Sequence, residues 1–93
     1  MLTTETVVRR GESHVETEVG DQTMMMNIDK GKYYALEGTA KLIWTELETP
    51  KKVQDLVSKM VEKYDVDAEQ CTTDVLGFLA DLVENDLVVA EAS

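Results

Sequence analysis

The sequence contains little of the chemistry that disulfides, metal sites and thiol catalysis require. Among its 93 residues there is one cysteine, Cys71, and one histidine, His14. A single cysteine cannot close an internal disulfide, and a lone histidine with no cysteine at ligand spacing does not make a zinc or copper site. Cys71 is therefore expected to be a half-buried structural thiol, because Asp67 and Glu69 beside it disfavour a reactive thiolate. His14 is expected on the protein surface.

Long apolar runs and phosphate-binding glycine loops are also missing. No run approaches the roughly 18 apolar residues that span a bilayer, and the stretch MLTTETVVRRGE lacks the apolar core of a signal peptide. The five glycines are scattered singly, and they form neither GxGxxG nor GxxxxGK(S/T). These absences predict a cytoplasmic protein that does not bind a membrane. The carboxylates form no recognisable acid–base arrangement either, so the sequence predicts a protein without catalytic activity or cofactor.

Basic residues are absent from the C-terminal third of the chain. The formal net charge is −10, and all nine Lys and Arg residues lie at or before Lys63. The residues from Val66 onward include seven acids, namely Asp67, Glu69, Asp74, Asp81, Glu84, Asp86 and Glu91. Nucleic-acid binding depends on Lys and Arg that displace counterions from phosphates, so the sequence predicts no nucleic-acid partner. The same acids would also suit an ordinary solvated helix face.

The first half of the chain predicts a three-stranded antiparallel sheet. The segment SHVETEVG (13–20) alternates apolar and charged residues, and it is followed by TMMMNI (23–28) and KYYAL (32–36). Gly31, in the second turn, is expected to have a positive φ angle. Met24, Met26 and Ile28 are expected to share one face. Adjacent strand residues point to opposite faces, so one tyrosine of KYYAL should be buried and the other exposed, with the choice left open.

The second half predicts three helices and an extended C-terminal segment. Thr39 is expected to cap the first helix, and Thr49 followed by Pro50 is expected to begin the second. Asp67 with Gln70 resembles a capping box at the start of the third, which should run to about Glu84 before NDLVVA extends. The apolar residues of the first helix, which recur at helical spacing, are Ala40, Ile43, Trp44 and Leu47.

The third helix has more apolar surface than one contact requires. One stripe contains Cys71, Val75, Phe78 and Leu82, and a second, rotated from it, contains Leu76, Leu79 and Val83. Both stripes could pack against the protein's own sheet and helices. Alternatively, part of the first stripe, bordered by Asp74 and Asp81, is left for a partner.

Four segments in a fixed order carry a resemblance to a known family. They are DKGKYYAL, IWTEL, VQDLVSKMVEKYDVD and DVLGFLADLVENDLV, and together they extend roughly from Val15 to Ala90. The chain resembles the PqqD-like family of RiPP recognition elements. Within that family it is most similar to the freestanding precursor-recognition proteins of lasso peptide biosynthesis.

The resemblance implies a winged-helix-like α+β fold, with a three-stranded antiparallel sheet followed by three helices. The domain would cover residues 13–93, after an N-terminal extension at 1–12 that is a candidate flexible segment. The resemblance also implies a function without catalysis, in which the domain holds the leader segment of a ribosomally made precursor peptide as an added strand. The partners would be that leader, a transglutaminase-like leader peptidase and, after it, a cyclase.

Carried onto this chain, the resemblance places the leader between the third strand and the third helix. The peptide-binding residues would be Lys32, Tyr33, Tyr34 and Ala35 on the strand and Asp74, Val75, Phe78, Asp81 and Leu82 on the helix. Two alternatives stay open. One is a peptide chaperone of the pyrroloquinoline quinone pathway, with the same binding mode but a radical enzyme as partner. The other is a winged-helix domain related to transcription, which the acidic third helix disfavours.

Overall fold

A computed structural model describes residues 2–12 and 14–91, which form six strands and three helices. In chain order the elements are β1 (Val7–Arg10), β2 (His14–Val19), β3 (Gln22–Asn27), β4 (Lys32–Leu36), α1 (Gly38–Glu46), β5 (Lys51–Lys52), α2 (Val53–Tyr64), α3 (Ala68–Glu84) and β6 (Val88–Glu91). The predicted α+β class, with a three-stranded sheet followed by three helices, is confirmed. Within the described ranges, no helix is long and apolar enough to cross a membrane.

Strands β2, β3 and β4 form an antiparallel sheet in that order, as predicted. The second turn contains Gly31, whose φ angle is +65° as expected, and whose N–H donates to the Asn27 carbonyl over 2.8 Å. Met24 and Met26 share one face of β3, as expected, whereas Ile28 lies in the turn after the strand and is exposed. The chain has already left the strand at Ile28, and the alternation of side chains ends there.

The alternation of side chains gives this sheet two different faces. The inward face buries Met25 and Leu36 and half-buries Tyr34 against the core. The opposite side, here called the outward face, is exposed or half-exposed and consists of Val15, Thr17, Val19, Gln22, Met24, Met26, Tyr33 and Ala35. The open question about the tyrosines is thereby answered: Tyr34 faces the core, and Tyr33 faces away from it.

A second antiparallel sheet, with strand order β5-β1-β6, was not anticipated from the sequence. Its central strand is β1, and the Val8 side chain there is fully buried. Residues 7–10 thus pair with the extended C-terminal segment, whose extended form is confirmed. The domain boundary at residue 12 stays a prediction. The order α1-β5-α2-α3-β6 is winged-helix-like, and β1 completes its small sheet.

Two of the three predicted helix starts are wrong, and the third is confirmed. Helix α1 begins at Gly38, with Glu37 at the cap position, so Thr39 lies inside its first turn. Helix α2 begins three residues after Pro50, because residues 51–52 pair with β1 and the Val53 N–H donates to the Thr6 carbonyl.

The start of α3 is as predicted, because the Asp67 carboxylate accepts the Gln70 N–H over 2.9 Å. The Gln70 side chain does not complete a capping box. It donates instead to the carboxylate of Asp74, one turn further along the helix.

The core side chain Trp44 holds the two sheets together. Trp44 is 2% exposed, and its indole Nε1 donates to Glu16 Oε2 of β2 over 2.8 Å. Its carbonyl accepts from Arg10 Nη2 of β1 over 2.6 Å. His14 packs edge-on against the Trp44 ring, with centroids 5.2 Å apart and a side chain only 11% exposed. The expectation of a surface histidine is therefore wrong, since strand alternation places His14 on the inward face beneath Trp44.

Candidate peptide-binding site

Strand β4 is an edge strand whose outer side has no partner among the described residues. It pairs with β3 along its whole length, from Lys32 opposite Asn27 to Leu36 opposite Thr23. In an antiparallel ladder, the N–H and C=O groups that do not meet the inner neighbour point to the outer side. This edge therefore offers hydrogen-bonding groups to an added strand.

The four strand residues singled out by the sequence occupy different environments. Lys32 and Ala35 are exposed, and Tyr33 is 73% exposed on the outward face. Tyr34 is half-buried and packs against the core on the side of the helices. All four contribute backbone to the open edge, but only Tyr34 and Lys32 share the face that is turned towards the helices.

The five helix residues singled out by the sequence also separate into groups. Asp74 and Asp81 are exposed, and Phe78 is half-buried at the margin of the core. Val75 and Leu82 are each only 1% exposed. A charged residue at either of these two buried positions would perturb the fold before it perturbed any bound peptide.

An apolar pocket of about 320 Å³ lies between α1, the C-terminal half of α2 and α3. It brings together three of the predicted residues, Asp74, Val75 and Phe78. The remaining lining residues come from all three helices and the α2–α3 connection, and are Thr39, Ala40, Ile43, Met60, Val66, Asp67, Gln70 and Cys71. Only Glu37 separates the end of β4 from α1, so the pocket wall formed by Thr39 and Ala40 directly follows the open edge.

The sequence did not assign the α1 residues of this pocket to the site. The helical spacing of Ala40 and Ile43 predicts that both belong to the core. The signal that could have identified them is Thr39, a polar residue on the same side of α1 that no core contact requires. Lys32, Tyr33, Tyr34, Ala35, Asp81 and Leu82 do not line the pocket.

The pocket is uncharged in its interior and acidic at its margin. Asp67 and Asp74 are its ionisable carboxylates, and no Lys or Arg lines it. Burial raises the pKa of the Cys71 thiol, and the negative charge of Asp74 raises it further. The thiol is therefore protonated and unreactive at neutral pH, in line with the structural role expected for it. Within residues 2–12 and 14–91, no cluster of His, Cys, Asp or Glu residues could hold a metal ion.

These features define a winged-helix-like α+β domain with an open sheet edge that leads into an acid-rimmed apolar pocket. The family described as coenzyme PQQ synthesis protein D (PqqD) matches residues 22–88, which is most of the chain. The chain belongs to the PqqD family. No curated protein matches it.

Two solved structures share the fold over nearly their whole length. One is "TbiB1 in Complex with the TbiA(beta) Leader Peptide", with a TM-score of 0.81 and 24% identity, covering 91% of this chain and 99% of that one. The other is "Lasso peptide synthetase B1 complexed with the leader peptide", with a TM-score of 0.72 and 18% identity, covering 88% of this chain and 96% of that one. At these identities the likeness establishes the fold.

Proposed function

We propose that this protein binds the leader segment of a ribosomally made precursor peptide and has no catalytic activity of its own. The leader adds to β4 as a fourth strand and continues towards the pocket between α1 and α3. Main-chain hydrogen bonds supply affinity in such a complex, and pockets for alternate side chains supply specificity. The precursor belongs to the lasso peptide class, in keeping with the two leader-bound structures of the same fold.

The observation that carries this proposal is the open edge of β4 beside an apolar pocket. The sheet edge provides unpaired backbone groups, and the half-buried Phe78 provides an apolar contact for a side chain of the added strand. Asp74 and Asp81 stand exposed on the same helix and would orient a basic residue of the leader. The open edge thus suits the backbone of an extended peptide, Phe78 suits an apolar side chain of that peptide, and the two carboxylates suit a basic one.

The bound leader is passed to an enzyme that acts on the precursor. For a lasso peptide this partner is a leader peptidase of the transglutaminase-like type, followed by a cyclase. The protein contributes no reacting group to these steps. Its role is to raise the local concentration of the precursor at the enzyme.

A second candidate function is supported by the description of the family itself. Coenzyme PQQ synthesis protein D names the pyrroloquinoline quinone pathway, for which the family resemblance implies a peptide precursor as well. The same edge and pocket would then hold a different leader for a radical enzyme. A binding competition between the two kinds of precursor peptide distinguishes the two candidate functions. The edge and pocket should bind more tightly the leader whose side chains fit them.

The test uses fluorescently labelled leader and labelled core peptide in separate titrations, read by fluorescence polarisation. The leader should bind tightly and the core should not, since one strand and one pocket need only a short extended segment. Methylation of successive leader amides should weaken binding at every second residue, because only alternate N–H groups face β4. Tight binding of the core with none of the leader would overturn the proposal.

A further inference from the structure

Asn27, the last residue of β3, is fully buried although its side chain is polar. Its Oδ1 accepts the backbone N–H of Lys30 over 2.9 Å, and its Nδ2 donates to the carbonyl of Asn85, the residue that follows α3. An amide side chain can be buried at low cost only when its oxygen and its nitrogen are both paired. This one side chain therefore shapes the β3–β4 turn and also binds that turn to the end of α3.

Lys30, in the same turn, makes a second contact with the end of α3. Its Nζ donates to the carbonyl of Glu84 over 2.8 Å and lies 3.5 Å from the carboxylate of Asp86. The last carbonyls of a helix have no partner within the helix and attract a cation, yet the last turn of α3 has no basic residue of its own. The turn before β4 supplies that cation. The residues involved, here called the turn–helix contact, are Asn27, Lys30, Glu84, Asn85 and Asp86.

The turn–helix contact is the polar connection between the β2-β3-β4 sheet and α3. Among the described residues, it contains every hydrogen bond and ion pair that joins this sheet and its turns to α3 or to the residues directly after it. Glu16 and Glu18 of the same sheet are bonded to α1 instead. Hydrogen bonds depend on distance and angle, whereas apolar contact is non-directional. The turn–helix contact therefore fixes where α3 lies relative to the sheet.

The two walls of the proposed leader site both extend from this contact. Strand β4 begins at Lys32, directly after the turn, and α3 runs from the contact back towards Phe78. Glu84 and Phe78 are six residues apart, which is about 9 Å along the helix. A change in the turn–helix contact would thus alter the spacing between the open edge and Phe78 without touching either.

We infer that Asn27 and Lys30 are positioning residues for leader binding, which hold α3 at the distance from β4 at which one extended peptide contacts both; this rests on the proposed leader binding. An added strand bonds to the backbone of β4, and its side chains on the helix side reach Phe78 only when α3 lies at that distance. Neither Asn27 nor Lys30 belongs to β4 or lines the pocket. Their effect on the leader is therefore exerted through α3.

The first test compares Lys30→Met with the matched control Lys52→Met. Lys30→Met removes the hydrogen bond and the ion pair with the end of α3 but keeps most of the apolar stem, and the side chain is 39% exposed, so the variant should fold. Lys52→Met removes the same charge and an exposed ion pair with Glu5, on β5. Leader affinity is measured by fluorescence polarisation, and folding by circular dichroism and urea midpoint.

Lys30→Met should weaken leader binding about three- to tenfold, the range expected of a residue that acts on a site through other residues. Lys52→Met should bind leader as the wild type does. Lys30→Arg, which keeps a cation and hydrogen-bond donors for the helix end, should restore most of the affinity. Asn27→Asp, which is nearly the same size, keeps the acceptor for the turn and loses the donor to Asn85, so a folded variant should also bind more weakly.

A double-mutant cycle with Phe78→Ala separates positioning from direct contact. Substitutions at sites this far apart usually have independent effects, so coupling between them reports a shared action. In the Phe78→Ala background, Lys30→Met should weaken leader binding by less than about twofold, because the contact that Lys30 positions is already lost. A loss as large as in the wild-type background would mean that Lys30 meets the leader directly, and would overturn its positioning role.

The remaining outcomes also decide the inference. Wild-type leader affinity in folded Lys30→Met protein would overturn it while leaving leader binding intact. An equal loss of affinity in Lys52→Met would overturn it as well, since the effect would then follow the net charge. Where Asn27→Asp does not fold, the Lys30 variants and the cycle give the answer. A wild type that binds no leader would overturn the proposed function and this inference with it.

Discussion

Trp44 is the residue on which the arrangement of the two sheets depends most directly. The Arg10 guanidinium from β1 lies 4.5 Å from the centre of its ring, and Glu16 from β2 accepts its indole N–H. Arg10 and Glu16 also form an ion pair, at 3.5 Å. The ring thus occupies the junction of β1, β2 and α1, away from the pocket and from the open edge of β4.

Replacement of Trp44 by alanine should destabilise the fold rather than act on peptide binding alone. Removal of a fully buried aromatic side chain costs about 3–5 kcal/mol, which is a large part of the stability of so small a domain. Urea denaturation followed by circular dichroism measures this loss. A variant that keeps wild-type stability yet fails to bind leader would place Trp44 in the binding site.

The sequence predicts the position of Trp44 better than that of His14, and the reason is physical. Trp44 belongs to an apolar helical face, a pattern that several residues define together. His14 begins a strand in which the remaining side chains are polar or exposed, and its burial depends on Trp44, 30 positions away in the chain. Such contacts between distant segments have no local sequence pattern.

At the scale of elements, substitutions can distinguish residues that serve the pocket between α1, α2 and α3 from residues that serve only the core. Phe78 is half-buried and lines the pocket, so Phe78→Asp should weaken leader binding tenfold or more through lost apolar contact and an unpaired charge. Asp74→Ala should have a smaller effect that shrinks as salt is raised, because an exposed carboxylate mainly orients a partner. Fluorescence polarisation with labelled leader measures both effects.

The control for the two pocket substitutions is Lys59→Glu, on the exposed side of α2. This change should leave fold and affinity nearly unaltered. Circular dichroism verifies folding in each variant. Unchanged affinity in a folded Phe78→Asp protein would place the leader elsewhere.

The β5-β1-β6 sheet is the element that the sequence could not predict. Val7–Arg10 pairs with Val88–Glu91, so this pairing joins segments from the two ends of the described chain. Strand β5 has only two residues and takes the place of the predicted start of α2. The β2-β3-β4 sheet, by contrast, was predictable because its strands follow one another along the chain with short turns.

Removal of residues 1–10 should strongly destabilise the protein. The truncation deletes the central strand of this sheet and the buried Val8, whose side chain alone contributes about 1.5–3 kcal/mol. It also removes the Arg10 hydrogen bonds to Trp44. The urea midpoint of the truncated protein should fall well below that of the full chain. An unchanged midpoint would support an N-terminal extension that is independent of the fold.

At the scale of the whole molecule, the cations serve mainly to hold elements together. Lys41 pairs with Glu18 across α1 and β2, and this hydrogen bond, with a further one from Thr23, lowers the pKa of Glu18. Lys30 pairs with Asp86 across the β3–β4 turn and the end of α3. The free charge that remains on the surface is therefore predominantly negative.

A winged-helix-like fold that binds DNA would place Lys and Arg side chains against phosphates, and α3 contains neither. Its exposed acids, which are Glu69, Asp74, Asp81 and Glu84, would instead face the phosphate backbone and repel it. We therefore expect no binding to labelled duplex DNA in a polarisation assay, even at low salt, where electrostatic attraction is least screened. Labelled leader in the same buffer should bind and serves as the positive control. DNA binding that weakens steeply as salt is raised would contradict this expectation and support the transcription-related function. Such a salt dependence would mean that Lys and Arg side chains outside α3 contact the phosphates.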